Sequence, residues 1–230
     1  MVKKSTNKLI LFLTLFLALG ATLFFLLKAE SITGKKVQSS NPFTYEFEYT
    51  ADYDVNGDVK GLVAKSDYIV TGHYEKFVEN WEMGENYHSE VYTFIVDKEL
   101  FGATGKTIDV AIPHTVMLES NEDGEHVEAE LNLPNYNKPD INKEYVLFLK
   151  KLQTKEAYGP ASVPFQVEID SKGKVELKTN TENTEVKKVI KSKNVVHFKT
   201  ETIDMSKVDK ISGKNKNDLL KEINMEIKNK

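Results

Sequence analysis

Residues Leu9 to Leu27 read LILFLTLFLALGATLFFLL, an uncharged apolar run set directly behind Lys3, Lys4 and Lys8. At a rise of about 1.5 Å per residue the run makes a helix of roughly 28 Å, close to the ~30 Å hydrocarbon thickness of a bilayer. It is predicted to span as a single transmembrane anchor at 9–27, with residues 1–8 as a cytoplasmic amino terminus. The three leading lysines set that orientation and export the remainder. The rival reading is a cleaved signal releasing a secreted protein, since Ala29-Glu30-Ser31 fits a small-x-small cleavage pattern. Two features weigh against cleavage: the run exceeds the usual signal core of about 7–15 residues, and Lys28 follows it where a stop-transfer charge sits.

Composition narrows the chemistry. The chain has no cysteine, so disulfides, thiol nucleophiles and a lipid-attachment cysteine are all absent. Its 31 basic residues are all lysine, which removes the guanidinium fork suited to carboxylate and phosphate. Lys3, Lys4, Lys8 and Lys28 precede Ala29, leaving 27 lysines against 35 acidic residues beyond it, a formal charge of −8. Such a face repels polyanions, and no concentrated basic stripe offsets it. Nucleic acid is therefore excluded as a partner.

Residues 28–42, including ITGKKVQSSNP, are polar and read as a linker. From 43 to 179 the signals are of strand type. Phe43, Tyr45, Phe47 and Tyr49 alternate with polar residues. Asp58 is placed to cap a short helix carrying Leu62 and Val63, and Tyr68 to Val78 resumes as a strand. Val91 to Leu100 reads as a central strand, and Thr107 to Ile112 as a strand that Pro113 ends. Asp123-Gly124 marks a hairpin turn between Val116/Leu118 and Val127/Ala129/Leu131. Tyr145 to Leu149 is wholly apolar, and Phe165, Val167 and Ile169 lead into a hairpin turning at Ser171 to Gly173. Residues 180–230 read as a charged extension. Within it 180–193 is an irregular excursion, and Leu219, Leu220, Ile223 and Ile227 recur on one face of a final amphipathic helix.

About seven short, evenly spaced strands, with one helix ahead and one behind, suit a closed or nearly closed antiparallel barrel; a two-sheet sandwich is the alternative. The succession GLVAKSDYIVTGHYEKF, VYTFIVDKELFG with GKTIDVAI, INKEYVLFLKK and YGPASVPFQVEIDSKGKVEL resembles a family of uncharacterised exported Gram-positive bacterial proteins, over about Asp58 to Leu177. The resemblance implies a mainly β, OB-like barrel and carries no activity with it. Pro160 and Pro164 stand where relatives tend to have a glycine-rich hairpin.

Two groups of residues suggest chemistry. Asp52, Asp54, Asn56, Gly57 and Asp58 match early positions of a calcium-binding EF-hand loop, but Val63 stands where the bidentate Glu belongs. A plain turn with Asp58 capping the helix accounts for the same residues. Glu119, Glu122, Asp123, Glu125, Glu128 and Glu130 surround His126, which fits either a cation site or a solvated hairpin tip. His73, His88, His114, His126 and His197 show no ligand spacing, and Gly102 to Lys106 is too short for a phosphate-cradling loop. Trp81, in a polar segment, is either an exposed contact residue or a cap on the barrel mouth. No catalytic residue, metal ligand set or cofactor is assigned. The reading that remains is a membrane-anchored extracytoplasmic β-barrel module, held in the lipid bilayer through residues 9–27, with a binding role towards an envelope protein or another envelope component. The alternative is an envelope hydrolase or inhibitor-like domain with a site assembled from scattered residues.

Overall fold

The computed structural model describes residues 32–37, 43–84, 86–141, 143–180, 184–200 and 203–230. The predicted anchor at 9–27 lies outside them. Among the described residues no helix is long and apolar enough to cross a membrane. Strands dominate the described chain, accompanied by two α-helices and one 3-10 turn.

A meander of three long strands organises the larger sheet: β3 (Tyr68–Glu82), β4 (Tyr87–Phe101) and β5 (Thr107–Glu122). The hairpin partner β6 (Glu125–Asn132) follows β5, while β7 (Glu144–Lys151), β9 (Gln166–Ile169) and β10 (Val175–Lys178) extend the sheet beyond β3. Strand β3 shifts register against β4 at four places: Ile69/Val70, Thr71/Gly72, Tyr74/Lys76 and Phe77/Glu79. Each such irregularity bends the strand and increases its twist, which curls the sheet around its own core. Gly72 stands at one of these shifts because a Cβ there would lie 1.9 Å from the Ile95 carbonyl oxygen.

The curl does not complete the predicted barrel. The return from β7 to β5 passes through the three-residue β8 (Tyr158–Pro160), which meets β5 in a single parallel pair, Val110 with Tyr158. The terminal segments, moreover, build a second sheet of their own, in the order β1 (Ile32–Val37), β2 (Thr44–Tyr49), β12 (Val195–Thr200), β11 (Glu185–Val189). Its centre is a parallel pairing of β2 with β12, from Val195↔Thr44 to Thr200↔Tyr49.

Three boundaries change as a result. Residues 32–37, polar enough to read as tether, gain backbone partners from β2 and become a strand. The stretch 180–193, predicted to be an excursion, contains β11, whose charged side chains suit an edge strand. Residues 180–230 are thus part of the domain. Pro113 does not end its strand either: it faces Ser89, beside the β4 register shift at His88/Ser89, and β5 runs through it.

Two cores result. The first fills the curl and reaches the helices, joining Tyr74, Phe94, Val110, Leu147, Phe148 and Phe165 to Leu62 of α1 (Val59–Lys65) and Leu219 and Ile223 of α2 (Lys216–Asn229). The second lies between the small sheet and the β5–β6 hairpin, where Tyr45, Tyr49, Val196 and Phe198 meet Val116, Leu118, Ala129 and Leu131. Asp58 caps α1 as its sequence position predicts, its Oδ1 accepting from Gly61 N at 2.8 Å. Asn215 does the same for α2, its Oδ1 accepting from Asp218 N at 3.0 Å. The Lys230 ammonium then donates to the Val63 and Ser66 carbonyls, so the end of the chain closes the open end of α1.

Three substitutions check this architecture by chemical denaturation. Asp58→Ala should cost about 1 kcal/mol. Phe198→Ala, which empties the centre of the second core, should cost about 3–5 kcal/mol. Gly72→Ala should cost about 3 kcal/mol or prevent folding, because backbone rather than a pliable side chain blocks the added methyl.

Candidate functional site

Beyond the residues that pair with β7, which end at His73, the outer half of β3 is a sheet edge paired with β4, which β5 flanks as far as Tyr87↔Val116; Met83 N donating to the Tyr87 carbonyl closes this β3–β4 arm. The root of the arm is aromatic. Tyr74, fully buried, holds Tyr92, Phe94 and Tyr145 edge-on at centroid separations of 5.8, 5.0 and 5.1 Å. Edge-to-face contacts set positive ring edges against negative faces, so the cluster is directional as well as apolar. The Tyr74 hydroxyl donates to Gln166 Oε1 at 2.7 Å, and Tyr92 donates to Glu90 Oε2 at 2.5 Å. Tyr136 reaches the same carboxylate oxygen at 3.4 Å, and the Tyr145 hydroxyl donates to Glu168 Oε2 at 3.3 Å.

Further out the arm turns apolar residues towards solvent. Phe77 is 48% exposed, Val78 42% and Met83 42%. Phe77 stands edge-on to Tyr92 at 5.6 Å, which ties the exposed patch to the buried cluster. Trp81 is half-buried, its ring under the Lys155 ammonium at 5.0 Å, and Lys155 also pairs with Glu79. Trp81 therefore belongs to the arm, fixed by the β7–β8 loop, rather than capping a barrel mouth.

The other sequence candidates resolve into structural roles. Asp54 Oδ2 pairs with Lys65 at 2.6 Å and its Oδ1 accepts from Asn56 at 3.0 Å; the lysine holds the Asp54 carboxyl below the usual carboxylate range. Asp58 caps α1 and Val63 is buried in it, so these oxygens serve separate partners instead of one cation. Gly57 owes its place to a close approach: a Cβ there would lie 2.1 Å from the Val208 carbonyl oxygen.

Nor is the acidic hairpin tip left to solvent. Asp123 accepts from Tyr45, Ser192 and Asn194 at 3.1, 2.8 and 2.6 Å, and Glu125 accepts from Lys191 N at 2.5 Å, which pins the tip to the small sheet. Farther along, the exposed Glu119, His126 and Glu128 bring one donor atom each within 4.8 Å of one another. His126 already engages Glu128 at 2.9 Å and Asn121 at 3.0 Å. Glu99 Oε1 occupies the amides of the Gly102–Lys106 loop, accepting from Gly105 N at 2.8 Å and Thr104 N at 2.5 Å. Those amides lower the Glu99 pKa and make the loop a self-satisfied strand connection.

A cleft of about 600 Å³ between the β9–β10 turn and the start of α2 is balanced in charge. Lys216 pairs with Glu144 at 2.7 Å, Lys143 with Glu168 at 2.5 Å, and Asp170 accepts from Lys172 N and Lys174 N, each at 2.8 Å. Among the described residues no serine or threonine hydroxyl is hydrogen-bonded to a histidine: His73 lies 3.9 Å from Asp97, His114 packs tilted against Tyr136 with ring centroids 3.8 Å apart and His197 faces Glu185 at 3.2 Å. No family model, curated protein or solved structure matches the chain.

The tyrosine cluster has a pH signature. Burial, followed by the neighbouring Glu90 charge, raises Tyr136 to about 12; burial likewise raises Tyr74, Tyr92 and Tyr145. A phenol whose folded pKa lies above its unfolded value of about 10 stabilises the fold below that value and loses the contribution as pH climbs towards the folded pKa. Stability should therefore fall between about pH 10 and 12. Absorbance at 295 nm should show a late tyrosine fraction ionising together with loss of the far-UV β signal.

Proposed function

We propose that the chain is a binding module of the cell envelope, held at the outer face of the membrane by residues 9–27, with the β3–β4 arm as its contact surface. The observation that carries this reading is the exposure of Phe77, Val78 and Met83 on an arm rooted in the Tyr74 cluster. Large apolar side chains exposed along one edge strand mark a contact site more often than scattered surface apolar residues do. The aromatic root gives that surface a fixed shape, which lowers the ordering cost of association.

An OB-like description of the domain belongs to the same proposal. It is supported by the β3–β4–β5 meander, the parallel contact of β8 with β5, and β7 lying between β8 and β3. That circuit follows the strand order of a five-stranded barrel left open at β8.

Fractionation tests the address. The full-length chain should stay with membranes through an alkaline carbonate wash, and protease added to intact protoplasts should remove the part beyond the anchor. Recovery of the intact chain from the cytosolic fraction would refute the proposal. A second measurement tests the surface: Val78→Ser and Met83→Ser should each shift folding stability by no more than about 0.5 kcal/mol. A larger loss would make these residues part of the fold instead of a contact face.

A further inference from the structure

We infer that the outward face of the β5–β6 hairpin binds a zinc ion through Glu119, His126 and Glu128. Register places the ligands. Glu119 stands directly opposite Glu128 and Asn121 directly opposite His126, so four side chains form a square on one face of two paired strands. The alternate residues Val116, Leu118, Ala129 and Leu131 face inward and belong to the second core. The three ligands are exposed, and one donor atom from each lies within 4.8 Å of the other two. Zinc–ligand bonds of about 2.0–2.2 Å in a tetrahedron set donor atoms roughly 3.3–3.6 Å apart. Rotation of the two glutamate side chains closes the remaining gap with the strands as they stand.

Two observations separate this face from an ordinary solvated hairpin. The first is an opposed charge. Like charges directly across a strand pair destabilise it, and among the described residues no lysine lies within ion-pair distance of Glu119 or Glu128, although Glu125 has Lys191 at 3.3 Å. Glu130, next along the same face, accepts from the Thr115 hydroxyl at 2.8 Å. A dication between the two opposed carboxylates turns their repulsion into attraction.

The second is the setting of the histidine. His126 Nδ1 lies 3.0 Å from Asn121 Oδ1, and its Nε2 lies 2.9 Å from Glu128 Oε1. A metal-bound imidazole donates its other ring N–H to an acceptor that fixes its tautomer and orientation, and Asn121 occupies that place. With Nδ1 as the donor, Nε2 carries the metal in place of a proton, on the side where the carboxylates converge. An imidazole with two carboxylates suits zinc, whereas calcium takes about six to eight oxygens. The fourth position is left to water. Asp123 and Glu125 pin the hairpin tip to the small sheet, so the ligand-bearing strands are held in place before an ion arrives. The site lies wholly on β5 and β6 and depends on neither the anchor nor the β3–β4 arm.

The full-length chain, made without a histidine tag and kept in detergent micelles, is titrated with zinc chloride by calorimetry. Expected are one saturable site per chain and a melting temperature that rises with zinc. His126→Ala and Glu119→Gln should each weaken zinc binding by about tenfold or more. Asn121→Ala, which removes the positioning acceptor alone, should weaken it about tenfold, and Asn121→Asp, which keeps an acceptor, should retain it. All three residues are exposed, so each variant should keep the native circular dichroism. Glu119→Gln also relieves the opposed charges, so without metal it should melt no lower than the native chain while gaining less from zinc. Calcium chloride over the same range should give no binding heat. A chain that binds no zinc overturns the proposal. Zinc binding undiminished in His126→Ala also overturns it, because the ion then sits elsewhere. Calcium bound as tightly as zinc overturns it too, in favour of a carboxylate site without the imidazole.

Discussion

Strand β3 is the constraint on which the rest of the domain depends. It is hydrogen-bonded to β4 along its length and to β7 along its first half, so its shape is imposed on both neighbours. Four register shifts within fifteen residues turn what would be a flat ribbon into a coil, and Gly72 allows the inner backbone to pass the Ile95 carbonyl where any side chain would collide. Because the strand curls, Tyr74, Phe94, Leu147 and Phe165 can share one interior. Because β7 stops pairing at His73, the remaining half of β3 is left as a sheet edge, paired with β4, which itself stays paired with β5.

That division explains how a single hairpin can be both core and surface. Its inner half is buried in the tyrosine cluster, whose hydroxyls are anchored on Gln166, Glu90 and Glu168. Its outer half exposes Phe77, Val78 and Met83 without disturbing the core, since Phe77 merely leans on the edge of Tyr92. Rigidity at the root and apolar surface at the tip are the two properties a contact element needs. The acidic β5–β6 hairpin, by contrast, is committed to the fold: its tip carboxylates hold the turn between β11 and β12.

The two ends of the described domain are bound to each other. β2 and β12 are nearly 150 residues apart in the chain, yet they pair in parallel and close the second core over the β5–β6 hairpin. A parallel pair needs a long crossover, and here the whole curled sheet serves as that connection. Lys230 adds a second tie from the carboxyl end, satisfying the carbonyls at the close of α1.

Short-range signals were readable before any coordinates. Asp58 as a cap, the Asp123-Gly124 turn, the hairpin after Phe165 and the helix bearing Leu219 and Ile223 all follow from chemistry within a few residues, and each stands in the structure. The long-range pairings were not readable. Residues 32–37 and 185–189 carry the lysines and glutamates of a solvated tether, and they are strands because a distant partner supplies their backbone hydrogen bonds. The same holds for the arm: Trp81 stood out as a residue, but its place on a sheet edge beside Lys155 depends on where β7 stops. Caps and turns are settled by local sterics and hydrogen bonding, which the order of residues encodes directly. Sheet order and the open seam at β8 are settled by which distant edges find each other, and that depends on the curl of β3.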